Sequence, residues 1–231
     1  MDEETVDIEC INATNMNYND GAVARRKAAV VFIQEHKLKG KALRETAKRL
    51  KEANWTWMCG PCDEITKKPN AGVGVMIDDN QGCKIIDAKV HTEDFRKACN
   101  AGRAAIYEMD LGWESNMLVF EIYGVAGGSK AARAATEAIL DAIVKEKNKH
   151  PYMPTIILGD FNAEPDSLKA IQELIAEEQW TDVGRHASRW GGEDAQTTCK
   201  TRPKAKPSRI DGVVANKAAM TWIAGFDVEK R

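Results

Sequence analysis

The sequence predicts an α/β fold in which two mixed β-sheets pack as a sandwich flanked by helices. Three observations carry this expectation. Short apolar runs at 30–33 (Val-Val-Phe-Ile) and 155–158 (Thr-Ile-Ile-Leu) are β-branched, and Pro154 and Gly159 bound the second, as expected of fully buried strands. Stretches with helical spacing alternate with such runs. Two further regions, 55–90 and 102–123, read as one strand after another, so hairpins accompany the crossovers. Together these patterns fit two packed mixed sheets with helices outside them. No repeat, low-complexity tract or internal boundary interrupts the pattern, and residues 1–231 are read as a single domain.

Taken in order, a first strand is expected over 7–11, with Val6, Ile8 and Cys10 on one face, and it delivers Asn12 to a turn. A basic helix is expected over 22–29. The buried run at 30–33 then enters Gln34-Glu35-His36-Lys37-Leu38. A carboxylate at the end of a buried strand is expensive unless it is paired or holds a metal, which makes Glu35 a candidate ligand. Residues 39–53 read as an amphipathic helix with Leu43, Ala47 and Leu50 on one stripe. Trp55 and Trp57 alternate as in a strand, and 72–77 and 84–90 are expected to pair. Strands follow over 102–107 and 117–123, the second ending at Tyr123. Ser129 caps a helix over 130–147 whose inner face carries Ile139, Leu140 and Ile143. Another helix opens at Pro165-Asp166-Ser167, with Leu168, Ile171 and Leu174 inward. Residues 180–183 read as irregular or a short strand.

Hydrophobic residues make up 43% and charged residues 29% of the 231, a soluble globular profile with length enough for a substantial core. The net charge of -2 provides no global field for nucleic acid, so any such binding rests on a local patch. No apolar run approaches the roughly 20 residues that span a bilayer, and the acidic start lacks an apolar signal segment. An intracellular protein, cytoplasmic or nuclear, without a membrane role is the expectation. Six cysteines are too sparse for a disulfide scaffold. Cys59-Gly60-Pro61-Cys62 spells a dithiol motif, but loop chemistry follows it where an activating helix would be needed, so it reads as a surface loop. From Lys200 to Arg209 five basic residues and two prolines form an exposed cationic loop suited to a polyanion if it lies beside a site.

The run at 155–158 ends in Gly159-Asp160-Phe161-Asn162. On an extended backbone Asp160 and Asn162 share one side while Phe161 turns to the core. A carboxylate and an amide so placed suit a phosphate-and-water site, one taking a proton and the other holding an oxygen. This tetrapeptide resembles the signature of the endonuclease/exonuclease/phosphatase superfamily of metal-dependent phosphodiesterases and phosphatases. Further pieces occur in the family's order: Asn12, Gln34-Glu35, Gly102-Arg103, Tyr123 and Arg209-Ile210-Asp211. Glu121 stands where the family usually carries an asparagine in Asn-x-Tyr.

The resemblance implies a four-layer, deoxyribonuclease-like sandwich and hydrolysis of a phosphate ester. Glu35 with Asn12 would hold Mg²⁺, or Mn²⁺ in its place. Asp160 would orient or deprotonate the attacking water, with Asn162, Tyr123 and Asp211 completing the catalytic set. Asn12, Asn162 and Arg209 would hold the substrate. Asp211 would orient a catalytic histidine, yet the Ser-Asp-His that follows in the family is absent, and no histidine follows His186. The chain is therefore expected to lack the family's final strand, and to act weakly or not at all. An endonuclease-type nuclease acting as a monomer on DNA, before RNA, is the leading reading. The alternatives are a non-catalytic remnant that binds nucleic acid or a partner, a phosphatase for a small substrate, and a thiol redox protein.

Overall fold

The computed structural model describes residues 5–63, 70–81, 83–110, 112, 116–177, 179–199 and 206–229. Four strands, β1 (Ile8–Asn12), β2 (Val30–Gln34), β3 (Trp55–Cys59) and β4 (Val73–Asp78), form one sheet in the order β1-β2-β4-β3. The β1–β2 pair is parallel and the other pairs antiparallel. The helices α1 (Met16–Val23) and α2 (Gly40–Glu52) cover its outer face. Met16, Val23, Leu38 and Leu50 pack there against Val31, Ile33 and Met76.

The second sheet contains β5 (Lys84–Asp87), β6 (Ala104–Asp110), β7 (Met117–Tyr123), β8 (Thr155–Asp160), β9 (Trp180–Asp182) and β10 (Asp211–Asn216), in the order β5-β6-β7-β8-β10-β9. Its central pair, β7 and β8, is parallel. The helices α3 (Glu93–Asn100), α4 (Lys130–Lys147) and α5 (Lys169–Ala176) cover the outer face. Phe95, Leu140, Ile143, Ile171 and Leu174 meet Phe120, Ile122, Ile157 and Phe161 in that layer. Between the sheets lies a third core of Phe32, Val75, Met109, Val119, Ile156, Leu158 and Ala215. These are the four layers expected, helix–sheet–sheet–helix. Beyond β10 a short helix, α6 (Lys217–Met220), leads to a stretch whose partly buried Phe226 packs against the inter-sheet core.

β7 and β8 are buried along their whole length because they are central and covered on both faces, which explains their unbroken apolar spelling. α4 starts where expected: the Ser129 Oγ accepts from the Ala132 backbone N–H at 3.1 Å. Two expectations are corrected. The helix expected over 22–29 lies at Met16–Val23; Ala28 and Ala29 are buried and already feed β2, with the Ala29 N–H donating to the Asp7 carbonyl at 2.9 Å. The segment from residue 84 pairs with β6 and not with β4, because β4 has β2 on one side and β3 on the other and offers no edge.

Candidate active site

Side-chain alternation carries the site. Along β8, Ile156, Leu158 and Asp160 face the first sheet, while Ile157 and Phe161 face the helices. The apolar members fill the inter-sheet core, and the last position on that face is Asp160. The same logic puts Tyr123 at the end of β7, Asp211 at the start of β10 and Asn12 at the end of β1. Register aligns them: Tyr123 pairs with Asp160, and Asp160 with Asp211, so three polar residues stand in one row across neighbouring strands. Asn12 pairs with Gln34 on the facing sheet.

The two sheets meet through a hydrogen bond at this row. The Asn12 Nδ2 donates to Asp160 Oδ2 at 2.9 Å. Asn12 is itself held, since its Oδ1 accepts from the Thr14 backbone N–H at 2.8 Å. Asp160 Oδ1 accepts from the Asn162 backbone N–H at 2.8 Å. Asn162 adopts a left-handed φ of 51°, a region in which asparagine is enriched among non-glycine residues. The chain therefore turns at Asn162 instead of staying extended, and the Asn162 Nδ2 donates to the Gly124 carbonyl at 3.0 Å. Asp160 and Asn162 are adjacent, but through that turn and not through strand alternation. Gly159 makes the approach possible: a Cβ there would stand 2.0 Å from the Ile122 carbonyl oxygen, at a φ of 141°.

Glu35 reaches the same place from the first sheet. It has a φ of 61° and Lys37 one of 52°, two non-glycine residues in a costly backbone region. The loop is held by the His36 N–H on the Gly72 carbonyl at 3.2 Å and the Lys37 N–H on Ala71 at 3.1 Å. The Lys37 Nζ lies 2.7 Å from Glu35 Oε1, a partner that the sequence reading missed. Tyr123, only 4% exposed, hydrogen-bonds Glu35 through its hydroxyl, and burial followed by Glu35 pushes that hydroxyl's pKa upward. The Arg103 guanidinium sits 4.8 Å from the Tyr123 ring centroid and donates to the Gly124 carbonyl. Glu35, Asp160 and Asp211 bring three carboxyl groups into electrostatic contact. Burial first, then Asp211, and more weakly Glu35, raise the Asp160 carboxyl to about 6, while Asn12 and the Asn162 N–H pull it down.

Other expected residues lie elsewhere. Arg209 is buried and grips Asp182 with both terminal nitrogens, at 2.8 and 2.6 Å. Its guanidinium fastens β9 to the approach to β10, which replaces its expected role at the substrate. His36 is turned away: its Nδ1 accepts from the Leu38 N–H, so its Nε2 carries the proton and donates to the Gly60 carbonyl at 3.2 Å. Burial lowers its pKa to about 4, keeping it neutral at physiological pH. Among the described residues no histidine bonds to the carboxyl cluster.

Cys59 ends β3 and Cys62 is buried, so the dithiol is not the exposed loop expected. Burial, with Cys62 and Glu121 nearby, pushes the Cys59 thiol up to about 12, and among the described residues neither cysteine opens a helix. Of the cationic loop, residues 200–205 lie outside the described residues; Lys206 is exposed. No helix among the described residues is long and apolar enough to cross a membrane.

The fold is a two-sheet sandwich with carboxyl and amide side chains gathered at its sheet ends. The chain matches the Endonuclease/Exonuclease/phosphatase family over residues 15–222 and belongs to it. Among solved structures it is similar to an AP endonuclease of Leishmania major, with 12% identity over 92% of this chain and 79% of that one and a TM-score of 0.65. A 3′ phosphatase of Neisseria bound to a product DNA hairpin shares 16% identity over 93% and 88% of the two chains, TM-score 0.61. A mannosyl-6-phosphatase of Bacteroides thetaiotaomicron shares 13% over 93% and 86%, TM-score 0.61. At these identities the likeness establishes the shared fold. No curated protein matches the chain.

Proposed function

We propose that this chain hydrolyses phosphodiesters at the Asn12–Glu35–Tyr123–Asp160–Asp211 cluster, with DNA, before RNA, as its substrate and endonuclease-type cleavage as its reaction. The observation that carries this reading is the convergence of three carboxyl groups, from the turn after β2, from β8 and from β10, on one hydrogen-bonded row. Such a concentration of like charge in a half-buried place is unfavourable without a cation. The donors are oxygens throughout, which fits Mg²⁺, with Mn²⁺ as a substitute. Glu35 and Asn12 would hold the ion, in competition with Lys37, and the ion would neutralise phosphoryl and leaving oxygens.

The protein's own groups divide the remaining work. Asp160 takes the proton of the attacking water; a carboxyl poised at about 6 is suited to a base near neutral pH. Asn12 fixes the orientation of that carboxylate. Tyr123 and Asn162 hold the phosphoryl group, and Asp211 sets the local charge. With no histidine bonded to the cluster among the described residues, turnover is expected to be slow, since loss of one transition-state donor costs about 10²–10³ in rate.

The nucleic-acid assignment is supported by likeness to the DNA-bound 3′ phosphatase and the AP endonuclease. Likeness to the mannosyl-6-phosphatase favours a second reading, a phosphatase for a small ester. A substrate panel with Mg²⁺ separates them: an abasic duplex, a 3′-phosphate oligonucleotide, a uniform RNA and a sugar phosphate. Cleavage within the abasic duplex supports the first reading. Release of phosphate from the sugar alone supports the second, and turnover of none favours a binding protein that keeps the fold.

A further inference from the structure

A second group of metal-ligating side chains lies at the end of the second sheet away from the cleft. β8 spans roughly 17 Å from Thr155 to Asp160, and the turn that feeds its start carries His150. Glu146, in the last turn of α4, is fully buried, and His91 precedes α3. One ligating atom from each of the three lies within 4.8 Å of the others. Glu146 Oε1 accepts from the His91 backbone N–H at 2.6 Å and sits 3.0 Å from His91 Nδ1. Glu146 Oε2 accepts from the Thr92 N–H and hydroxyl, at 2.7 and 2.6 Å. The His91 and His150 rings stand edge to face with centroids 5.0 Å apart. His150 Nε2 is closed off from solvent and has no hydrogen-bond partner among the described residues. A buried ring nitrogen without a partner calls for an explanation, and an ion supplies one.

We propose that His91, Glu146 and His150 form a site for a divalent transition-metal ion, Zn²⁺ by preference, separate from the catalytic cleft. His91 Nδ1, Glu146 Oε1 and His150 Nε2 each give one ligand, and water takes the fourth position. Two imidazoles and a carboxylate form a borderline donor set that suits Zn²⁺ better than Mg²⁺. Four-coordinate Zn²⁺ with ligands at about 2.0–2.1 Å sets them roughly 3.4 Å apart, so the widest gap must close by little more than ~1 Å. His91, whose side chain is one-third exposed, has room to make that adjustment. The bound ion ties the start of α3 to the end of α4, two of the helices that cover the second sheet.

Titration with Co²⁺, followed by visible absorption, tests this. A four-coordinate Co²⁺ site absorbs strongly, whereas a six-coordinate oxygen site such as the cleft absorbs weakly. The full chain is expected to develop the strong band at one equivalent and lose it when Zn²⁺ is added. His150→Gln and His91→Gln are each expected to abolish the band, and Glu35→Gln to retain it. No strong band at millimolar Co²⁺, a band that survives either histidine substitution, or a band lost in Glu35→Gln would overturn the assignment. His91 is partly exposed, so its variant decides the question even if His150→Gln folds poorly.

Discussion

Asp160 is asked to be both buried and charged, and the cost is measurable. Its folded pKa of about 6 lies above the ordinary value of 3.8. A raised carboxyl pKa gives stability that is fully present below the unfolded value and is lost as pH rises through the folded one. In the metal-free protein at pH 7.5, the ionised Asp160 therefore costs roughly 2–3 kcal/mol. Asp160→Asn is expected to be more stable than the parent at pH 7.5 by up to that amount, with the gain fading near pH 4; urea denaturation at the two pH values checks it. Arg209 carries the opposite expectation. Arg209→Leu strands the Asp182 carboxylate in the interior and is expected to cost about 3–5 kcal/mol, while leaving the Michaelis constant of the folded fraction unchanged. Asn12 and Asp160 are legible in the sequence because each closes an apolar run, where period-two alternation aims a side chain into the inter-sheet space; Asp211, which opens β10, is legible only through the resemblance, and Glu35 reaches the cluster through its left-handed turn and not through alternation. Arg209 was misread because its partner, Asp182, lies 27 positions away and no local pattern links them. Lys37 was passed over beside Glu35 for a related reason: only the left-handed turn at 35–37 brings the two together.

Elements with a long, consistent period were read closely. α4 is expected at 130–147 and occurs as Lys130–Lys147, because a cap and an apolar stripe agree. α3 was missed: eight residues with Phe95 and Ala98 inward give too little periodicity. β5 was assigned to the wrong neighbour because strand spelling does not say which edge is vacant. The joint between β7 and β8 includes one backbone approach with no room for a side chain. A methyl group on Gly159 would collide with the Ile122 carbonyl, and the surrounding main chain cannot give way cheaply. Gly159→Ala is expected to destabilise the protein by on the order of 4 kcal/mol. Thermal unfolding checks this, and a loss below ~1 kcal/mol would show that the two strands can separate.

At the scale of the whole molecule, polar links cross the interior between the sheets, among them Asn12 to Asp160, and Gln34 to Glu121 at 2.6 Å. Glu121 is fully buried, and its Oε2 has no partner of good geometry among the described residues. Burial raises its pKa well above the usual carboxyl range. The same sign applies as for Asp160: its stabilising protonated form is lost as pH rises. Glu121→Gln is expected to gain stability relative to the parent steadily with rising pH, as pH-dependent denaturation curves would show. The sandwich thus brings the Glu35, Asp160 and Asp211 carboxyl groups together at one end, and the proposed chemistry requires their use there. The most direct test is the initial rate of strand cleavage of an abasic duplex by the full chain with Mg²⁺, beside Asp160→Asn and a chelator control. Slow cleavage by the parent, abolished both by the chelator and by Asp160→Asn, is the expected result. Cleavage that persists undiminished in Asp160→Asn would place the chemistry elsewhere and contradict the account.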